Sequence, residues 1–312
     1  METIQEIRVT EAGVRLDKFL ASKFPDMSRS YWRGLVSRGL VQVDGRVRPA
    51  DHRLSGGELV SVRPPACEWG SLPFEDWILH EDKDILVLNK PAGLLMHPLG
   101  ESWLRRPEAA AADPRPNLAG LLFLKRPAIA SAGTARCGLV HRLDRETSGA
   151  LVVAKNRAAH EFLTRSFAEH GVGKTYRAVV LGRLETSVEV EAPVGRLTGA
   201  RKIKVSPWGR EAATSIKVLG KAPRASLIEA RPVTGRTHQI RAHLAHIGHP
   251  VLGDPESGTS DPAALAKRGL PQPPRLLLHS YKLAFGHPRT GKAVQFTAPV
   301  PKDIKDYWKS VS

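Results

Sequence analysis

With 312 residues, of which 41% are hydrophobic, the chain can bury a substantial core, and its length indicates one large domain plus a small one. Its 47 Lys and Arg against 31 Asp and Glu give a formal charge of +16, which favours a polyanionic partner such as RNA or DNA over a neutral metabolite. The two cysteines, Cys67 and Cys137, exclude a disulfide framework and lack the paired spacing of a zinc site.

Features of a membrane or exported protein are missing from the sequence. The longest apolar runs fall short of the roughly 18 to 20 residues that span a bilayer. Residues 1–6 lack the basic start and apolar core of a signal peptide. We therefore expect a cytoplasmic protein with no membrane partner.

The first 63 residues begin with two predicted helices. Apolar residues recur at helical spacing in two runs that are separated by a break at 25–27. Ser28 is a plausible N-cap for the second helix, and Gly39 ends it. The apolar positions are Leu16, Phe19, Leu20 and Phe24 in the first run, and Trp32, Leu35 and Val36 in the second.

A hairpin follows the two helices, because Asp44-Gly45 suits the positive φ angles of a tight two-residue turn. This order of elements resembles the αL RNA-binding module of a small-subunit ribosomal protein and of tyrosyl-tRNA synthetases. The alternative is a solvated basic face on a small helical cap. The resemblance implies these RNA-facing candidates: Arg29, Arg33, Arg38, Arg46 and Arg48.

Positive charge is not concentrated in this first unit. Residues 1–64 carry 11 Lys or Arg against 8 Asp or Glu, a net of +3, which leaves +13 of the +16 for the remainder. The Pro-rich stretch after Arg63 marks a boundary. We expect an αL-type RNA-binding domain at 1–63, a linker at 64–72 and a catalytic domain at 73–312.

The large domain is predicted to be α+β, built on a mixed, largely antiparallel sheet. Apolar runs predict strands at 85–88, 176–181 and 225–230, and helical spacing predicts helices at 156–167 and 237–247. Two segments without sustained periodicity, 100–117 and 256–274, are predicted to be loops or insertions.

Asp144 is the most informative single residue. It lies in the polar stretch HRLDRETSG (141–149), between strand-like flanks at 138–140 and 150–154. This pattern predicts a tight turn between two buried strands, with Gly149 freeing the backbone where the chain turns back. A turn on a rigid sheet is a good place for a reactive group, although an ordinary surface turn explains the stretch equally well.

Further segments resemble, in order, the motifs of the RluA-type pseudouridine synthases. The resemblance extends from about Asn89 to the C-terminus and implies a bent mixed sheet with a central RNA-binding cleft. It also implies an isomerase that needs no cofactor. The segments are NKPAGLLMHP (89–98), HRLDRETSG, KTYRA (174–178), TGRTHQIRAHL (234–244), GHPVLGD (248–254), LHS (278–280) and FGHPRTG (285–291).

Five residues receive roles from this resemblance. Asp144 matches the catalytic aspartate, which would act near the ribose anomeric carbon as the carboxylates of sugar-cleaving enzymes do. Arg241 is its charge partner, or alternatively a phosphate contact. Tyr176 would stack on uracil and take part in proton transfer. Arg142 would fill the space of a flipped-out base, and Arg236 would bind phosphate.

Histidines cluster in the same region, but the pattern of a metal site is weak. His243 and His246 lie one helical turn apart, without the Glu of an H-E-x-x-H motif or a Cys pair. We expect these histidines, with His238 and His249, to hydrogen-bond backbone or RNA. No metal and no nucleotide cofactor are implied, since a phosphate-binding G-x-x-x-x-G-K-[ST] loop is also missing from the sequence.

One departure from the family pattern concerns the segment after Asp254, where related chains often place an aromatic residue and glycine. This chain instead has Pro255, Glu256, Ser257 and Gly258, followed by a long insertion. The loop is therefore expected to differ in shape, with a possible effect on RNA choice.

The resulting prediction is a monomeric RNA pseudouridine synthase that acts on structured RNA by base flipping. Ribosomal RNA of the large subunit is favoured as the substrate and transfer RNA is second. Two alternatives stay open: an RNA-binding or ribosome-assembly factor whose catalysis is secondary, and a metal-dependent nuclease or hydrolase. Whether Asp144 attacks the anomeric carbon or abstracts a sugar proton to give a glycal is also open.

Overall fold

The computed structural model describes residues 5–25, 27, 29–63, 71–98, 102–113, 115–132, 134–196 and 202–312. They form two compact units: Met1–Phe74 with Leu95–Leu139, and Glu75–Leu94 with Val140–Ser312. Ser28 and most of the expected linker lie outside the described residues. The domain limits drawn from the sequence stay a prediction.

The first unit contains the predicted pair of helices, because their apolar faces cover one antiparallel sheet. Leu16, Phe19, Trp32 and Leu35 are all buried in this core. The sheet has the strand order β1-β4-β2-β3. The elements are β1 (Gln5–Arg8), α1 (Leu16–Lys23), α2 (Arg29–Ser37), β2 (Val41–Val43), β3 (Arg46–Val47) and β4 (Leu59–Val62).

The predicted hairpin is confirmed. Asp44 and Gly45 have φ angles of 47° and 72°, as a two-residue turn with matching strand twist requires. The segments 100–117 and 256–274, predicted to be loops or insertions, are not loops throughout, since the first contains two short helices and the second contains one. The remaining helices of this unit are α3 (Ser102–Arg105), α4 (Glu108–Ala111), α5 (Leu118–Lys125) and α6 (Pro127–Ser131).

In the second unit, nine of the described strands form a mixed sheet that is antiparallel except at one pairing. The order is β5-β6-β7-β14-β8-β13-β12-β9, with β15 paired to β14, and only β7 and β14 run parallel. The fold class predicted from the sequence is confirmed. The strands are β5 (Ile78–Glu81), β6 (Ile85–Lys90), β7 (Ser148–Ala154), β8 (Gly173–Leu181), β9 (Val188–Glu191), β12 (Ala213–Lys221), β13 (Ala225–Pro232), β14 (Leu278–Gly286) and β15 (Ala293–Thr297).

Helices pack on this sheet and a small hairpin stands beside it. Both predicted helices are confirmed, one capped by the Asn156 side chain, which accepts a hydrogen bond from the Ala159 N–H. None of the described helices has the length and apolar character needed to cross a membrane. The elements are α7 (Arg157–Ala168), the hairpin β10 (Val194–Arg196) and β11 (Ile203–Val205), α8 (Gln239–His246), α9 (Pro262–Ala266) and α10 (Lys302–Val311).

The prediction of a strand at 138–140 is wrong. Gly138 instead closes a 3₁₀ turn in which Arg136 and Cys137 have φ angles of 56° and 52°. Left-handed residues cannot continue a strand, so the polar stretch 141–147 is followed by a strand, β7, but is not directly preceded by one.

The role predicted for Gly149 is also wrong. It lies inside β7, with φ of +116°, and does not turn the chain back. Its backbone approaches β14 so closely that an added Cβ would overlap the Ser280 carbonyl and lie 2.7 Å from the Ser280 nitrogen. Glycine is therefore required here for close strand contact.

Replacing Gly149 with Ala should destabilise the protein by at least about 3 kcal/mol, because the positive φ and the backbone overlap both oppose a Cβ. Gly93→Ala is the matched control: Gly93 also has positive φ, but an added Cβ meets no atom within 4 Å. It should cost only about 1 to 2 kcal/mol. Urea unfolding midpoints test this, and equal losses in both variants would contradict the close-contact explanation.

Candidate active site

Asp144 lies on a turn that neighbouring backbone holds in place. The Gly93 N–H donates to the Arg145 carbonyl at 2.9 Å, and the Thr147 N–H donates to the Asp144 carbonyl at 3.1 Å. Leu143 is buried beneath the turn. With its side chain 18% exposed, the Asp144 carboxylate is accessible to a small group that enters the cavity.

Lys90 at the end of β6 fastens this turn from below. Its buried Nζ donates to the carbonyls of Pro91 and Leu94 at 2.9 Å and of Arg145 at 3.1 Å. Burial lowers the pKa of Lys90 to about 7. Lys90 received no role from the sequence, although a Lys two residues after the apolar run 85–88 was the available signal.

His141 forms part of the cavity wall as a neutral ring. Its Nε2 accepts a hydrogen bond from the Val152 N–H at 3.0 Å, and the ring stacks on Phe167 with centroids 4.4 Å apart. Burial, with a smaller contribution from the Lys174 charge, lowers the pKa of His141 to about 3. An unprotonated acceptor nitrogen agrees with that direction, so His141 packs and orients the turn.

Tyr176 on β8 lines the same cavity as Asp144. Burial, followed by the nearby negative charge of Asp144, raises the pKa of Tyr176 to about 12, although a hydrogen bond with Ser280 acts in the opposite direction. The side chain therefore remains a phenol at neutral pH. It can stack on a base or donate a proton, but it is not a ready base.

Arg241, in the first turn of α8, is surrounded by carboxylates. Its Nε and Nη2 donate to the buried Asp254 carboxylate at 2.8 and 2.7 Å. Nη2 also lies 3.1 Å from Glu256 Oε1, and Nη1 lies 3.6 Å from Asp144 Oδ2. The bidentate partner is therefore Asp254, and the pair with Asp144 is the longer one.

His238 was not singled out beside Asp144 from the sequence. Its Nε2 lies 3.7 Å from Asp144 Oδ2, and its Nδ1 lies 2.9 Å from Glu256 Oε1 without aligned hydrogen-bond geometry. The residue has a left-handed φ of 54° directly before α8. The available signals were its place three residues before Arg241 and the unusual Glu256.

Buried Gln239 shapes the loop that carries these groups. Its Oε1 accepts from Thr234 Oγ1 at 2.7 Å and from the Arg236 N–H at 3.0 Å. Its Nε2 donates to Ala213 O at 2.9 Å and to Thr214 Oγ1 at 3.0 Å. A satisfied buried amide of this kind fixes the loop before α8.

Five residues singled out from the sequence line one cavity of about 420 Å³. They are Asp144, Tyr176, Arg241, Arg142 and Arg236. Arg142 is exposed, while Arg236 is half-buried and its Nε donates to the Glu211 carbonyl at 3.2 Å. The Asp144 carboxylate lies beside the basic side chains of Arg241 and His238, in the same cavity as the neutral Tyr176 phenol. Such a carboxylate can stabilise an electron-poor sugar carbon.

The arginines predicted to face RNA from the first unit differ in their surroundings. Arg29 lies 2.9 Å from the buried Asp17 carboxylate, so part of its charge stabilises the fold. Arg33 and Arg46 are exposed. Arg38 and Arg48 are half-buried.

Histidines of the 238–249 stretch are held separately. His243 contacts Thr214 Oγ1 and the Ala192 carbonyl, and His249 contacts the Leu181 carbonyl, each at 2.9 Å. The backbone role predicted for His243 and His249 is therefore confirmed.

Within the described residues, the cluster whose side chains are close enough together to hold a metal ion lies outside this stretch and consists of Asp82, Asp84 and His287. Arg289 already donates to both Asp84 oxygens, at 2.6 and 2.9 Å, and His287 lies 3.0 Å from Asp82. A cation would have to compete with this guanidinium. These residues therefore fit an ion-pair network better than a metal site.

Arg241→Met should destabilise the protein by about 3 to 5 kcal/mol, because it leaves Asp254 buried and unpaired. Adding Asp254→Asn should recover part of this loss, giving a coupling of at least about 1 kcal/mol in a double-mutant cycle. Urea unfolding measures both values. Arg157→Met is the control, since Arg157 pairs with Glu161 on the exposed face of α7 and its loss should leave the midpoint unchanged. Additive losses would contradict the pairing.

Comparison with known proteins identifies the family and the fold of the chain. The family model described as RNA pseudouridylate synthase matches residues 84–246, and the S4 domain model matches residues 14–60. A solved human structure, RNA pseudouridylate synthase domain containing 4, has the same fold with a TM-score of 0.56. It is 24% identical and covers 76% of this chain and 94% of that chain.

Several curated relatives are similar over nearly the whole chain. The ribosomal large subunit pseudouridine synthase D of Pseudomonas aeruginosa is 36% identical over 96% of this chain and 92% of the relative. The protein of the same name from Nitrosomonas europaea is 35% identical, over 94% and 83% respectively. An uncharacterized RNA pseudouridine synthase of Chloroflexus aurantiacus is 36% identical over 97% and 92%. The chain therefore belongs to the RNA pseudouridine synthase family, as an RluA-type member with an N-terminal S4 domain.

Proposed function

We propose that this protein isomerises specific uridines to pseudouridine in structured RNA, with large-subunit ribosomal RNA as the favoured substrate. The observation that carries the proposal is the cavity in which Asp144 lies 3.6 Å from Arg241, with the Tyr176 phenol in the same wall. The names of the relatives from P. aeruginosa and N. europaea support ribosomal RNA of the large subunit as the proposed substrate. Transfer RNA is the second candidate, and we propose a cytoplasmic monomer.

Asp144 acts on the ribose in this proposal. The reaction breaks the bond between uracil N1 and ribose C1′, turns the base and joins its C5 to C1′. The C5 proton is lost, and N1 regains a proton, so that the product is an isomer of the substrate. Asp144 either attacks C1′ or takes the C2′ proton to form a glycal, and both routes need an ionised carboxylate. Arg241 places its guanidinium 3.6 Å from the Asp144 carboxylate, and His238 places a ring nitrogen 3.7 Å from it.

Tyr176 and Arg142 handle the base. Tyr176 stays a neutral phenol, since its pKa is raised to about 12; its ring can stack on uracil, and its hydroxyl can donate a hydrogen bond to the detached base. Arg142 is exposed at the cavity and has no ion pair within the described chain, so its guanidinium can fill the stack that a flipped uridine leaves. Arg236 binds a phosphate in this arrangement.

Asp144→Asn should lower pseudouridine formation by at least about a thousandfold while RNA affinity stays within about threefold, because only the reacting carboxylate is lost. The measurement is pseudouridine mapping of total RNA from cells with wild type, a deletion or the variant, with modification of purified large-subunit ribosomal RNA and transfer RNA in vitro. Glu146→Gln is the matched control, since Glu146 lies two residues away on the same turn and pairs with Arg145.

The sites lost in both the deletion and Asp144→Asn identify the substrate. If all the lost sites lie in transfer RNA, then transfer RNA, and not ribosomal RNA, is the substrate. If no site is lost and growth defects appear only in the deletion, the protein acts as an RNA-binding or assembly factor instead.

The S4 domain should add RNA contacts through Arg33 and Arg46. Each change to Gln should reduce the slope of log affinity against log salt by about one, because one phosphate contact is removed. Binding of large-subunit ribosomal RNA at several salt concentrations measures this. Arg157→Gln serves as a comparison with equal loss of charge on α7, and the same slope change there would show a general charge effect without specific contacts.

A further inference from the structure

Trp208 is the most exposed large apolar side chain in the described part of the protein, at 92%. The other exposed examples range from 38% for Leu124 to 58% for Val47. Tryptophan is usually well covered, since its ring is the largest apolar side-chain surface. A wholly exposed indole therefore points to a contact that the isolated protein does not provide.

The backbone beneath Trp208 is firmly held. Ser206 to Gly209 form a β-turn, closed by the Gly209 N–H donating to the Ser206 carbonyl at 2.8 Å. Arg210 and Val194 exchange two backbone hydrogen bonds of 2.9 and 3.0 Å. An added Cβ on Gly209 would lie 2.6 Å from Val194 carbonyl carbon, so the turn is packed directly on β10. The exposed indole is therefore attached to a turn whose backbone is held in place by these contacts.

A shallow cavity of about 380 Å³ lies beside this indole, and we call it the Trp208 shelf. Three arginines line it, and none of the described lining residues is acidic: the cations are Arg196, Arg210 and Arg236. Arg196 and Arg210 are both exposed.

The shelf adjoins the catalytic cavity. Gly235, Arg236 and Thr237 line both, so a chain of nucleotides that leaves the catalytic cavity at Arg236 enters the shelf next.

We propose that the Trp208 shelf binds a nucleotide next to the target uridine, with its base stacked on the indole and its phosphate held by the arginines. This rests on the proposed function. A flat π-face is matched by any nucleobase, and the surrounding positive charge by the RNA backbone. A protein partner fits less well, because one indole among arginines is not the broad apolar patch of a protein interface.

The test uses the full chain carrying Asp144→Asn, so that RNA is bound without turnover. The probes are a fluorescein-labelled single-stranded oligouridylate, followed by anisotropy, and a large-subunit ribosomal RNA transcript. Trp208→Ala and Trp208→Leu should weaken oligouridylate binding by about five- to a hundredfold, whereas Trp208→Phe should stay within about threefold of the parent. Leu124→Ala, at an exposed position of the otherwise mostly buried α5 and outside both of these cavities, should not change affinity.

The same Trp208 changes in the active enzyme separate binding from chemistry. Trp208→Ala and Trp208→Leu should raise KM and leave kcat within about threefold, because the indole contacts a neighbouring nucleotide and not the reacting atoms. Arg210→Gln should reduce the salt dependence of binding by about one counterion. Thermal unfolding of each variant shows whether it is folded, and comparison of Phe with Leu at similar size keeps the test valid if Ala is unstable.

Equal affinities for the Trp208→Ala variant and its parent would overturn the proposal. So would Phe as weak as Leu, or an effect confined to self-association or to binding of another protein. Failure of the proposed function would give a different result, because wild type would then form no pseudouridine. The oligouridylate affinities of the Trp208 variants would still show whether the Trp208 shelf binds a nucleotide.

Discussion

The arrangement of charged groups in the cavity around Asp144 depends on one guanidinium, that of Arg241. Arg241 makes two short hydrogen bonds to buried Asp254, and these fix the plane of the group so that Nη1 is left facing Asp144. Arginine suits this position because its planar fork can bind one carboxylate in two places and still present a further donor. The GHPVLGD segment, which contains Asp254, therefore affects the cavity indirectly, because it orients the arginine that lies beside Asp144, the proposed catalytic carboxylate.

Two side chains that line the cavity keep a constant charge. The pKa of His141 is lowered to about 3 and that of Tyr176 is raised to about 12, in both cases chiefly by burial. The side chains of His141 and Tyr176 are therefore both neutral throughout the physiological pH range. Charge in the cavity comes instead from Asp144 and from Arg241, whose guanidinium is positioned by hydrogen bonds to Asp254.

Sequence reasoning located the residues but not their mutual contacts. Asp144, Tyr176 and Arg241 come together as expected, because each lies in a motif that could be recognised one by one. Lys90, His238 and Glu256 were missed, since their partners are distant in the chain or depend on the left-handed backbone at residue 238.

The strand error has the same origin as these omissions. Residues 138–140 are apolar enough for a strand, but the preceding Arg136 and Cys137 adopt positive φ angles that side-chain type does not announce. For Arg29, similarly, a basic helix face was visible in the sequence, but the buried partner Asp17 was not. Periodicity reports which residues are covered, and tertiary contacts decide what covers them.

The pairing of β7 with β14 has a consequence for the order in which the protein is completed. His279 and Ser280 lie beside Ser148 and Gly149, across a gap of about 130 residues, and Ser280 also reaches Tyr176. During synthesis, the aspartate turn emerges long before the strand against which it packs. Contacts of such long range form late, so the nascent chain carries all its reactive side chains before it has a cavity to hold them. The cavity around Asp144, which Leu278 also lines, can therefore be completed only after β14 has been synthesised.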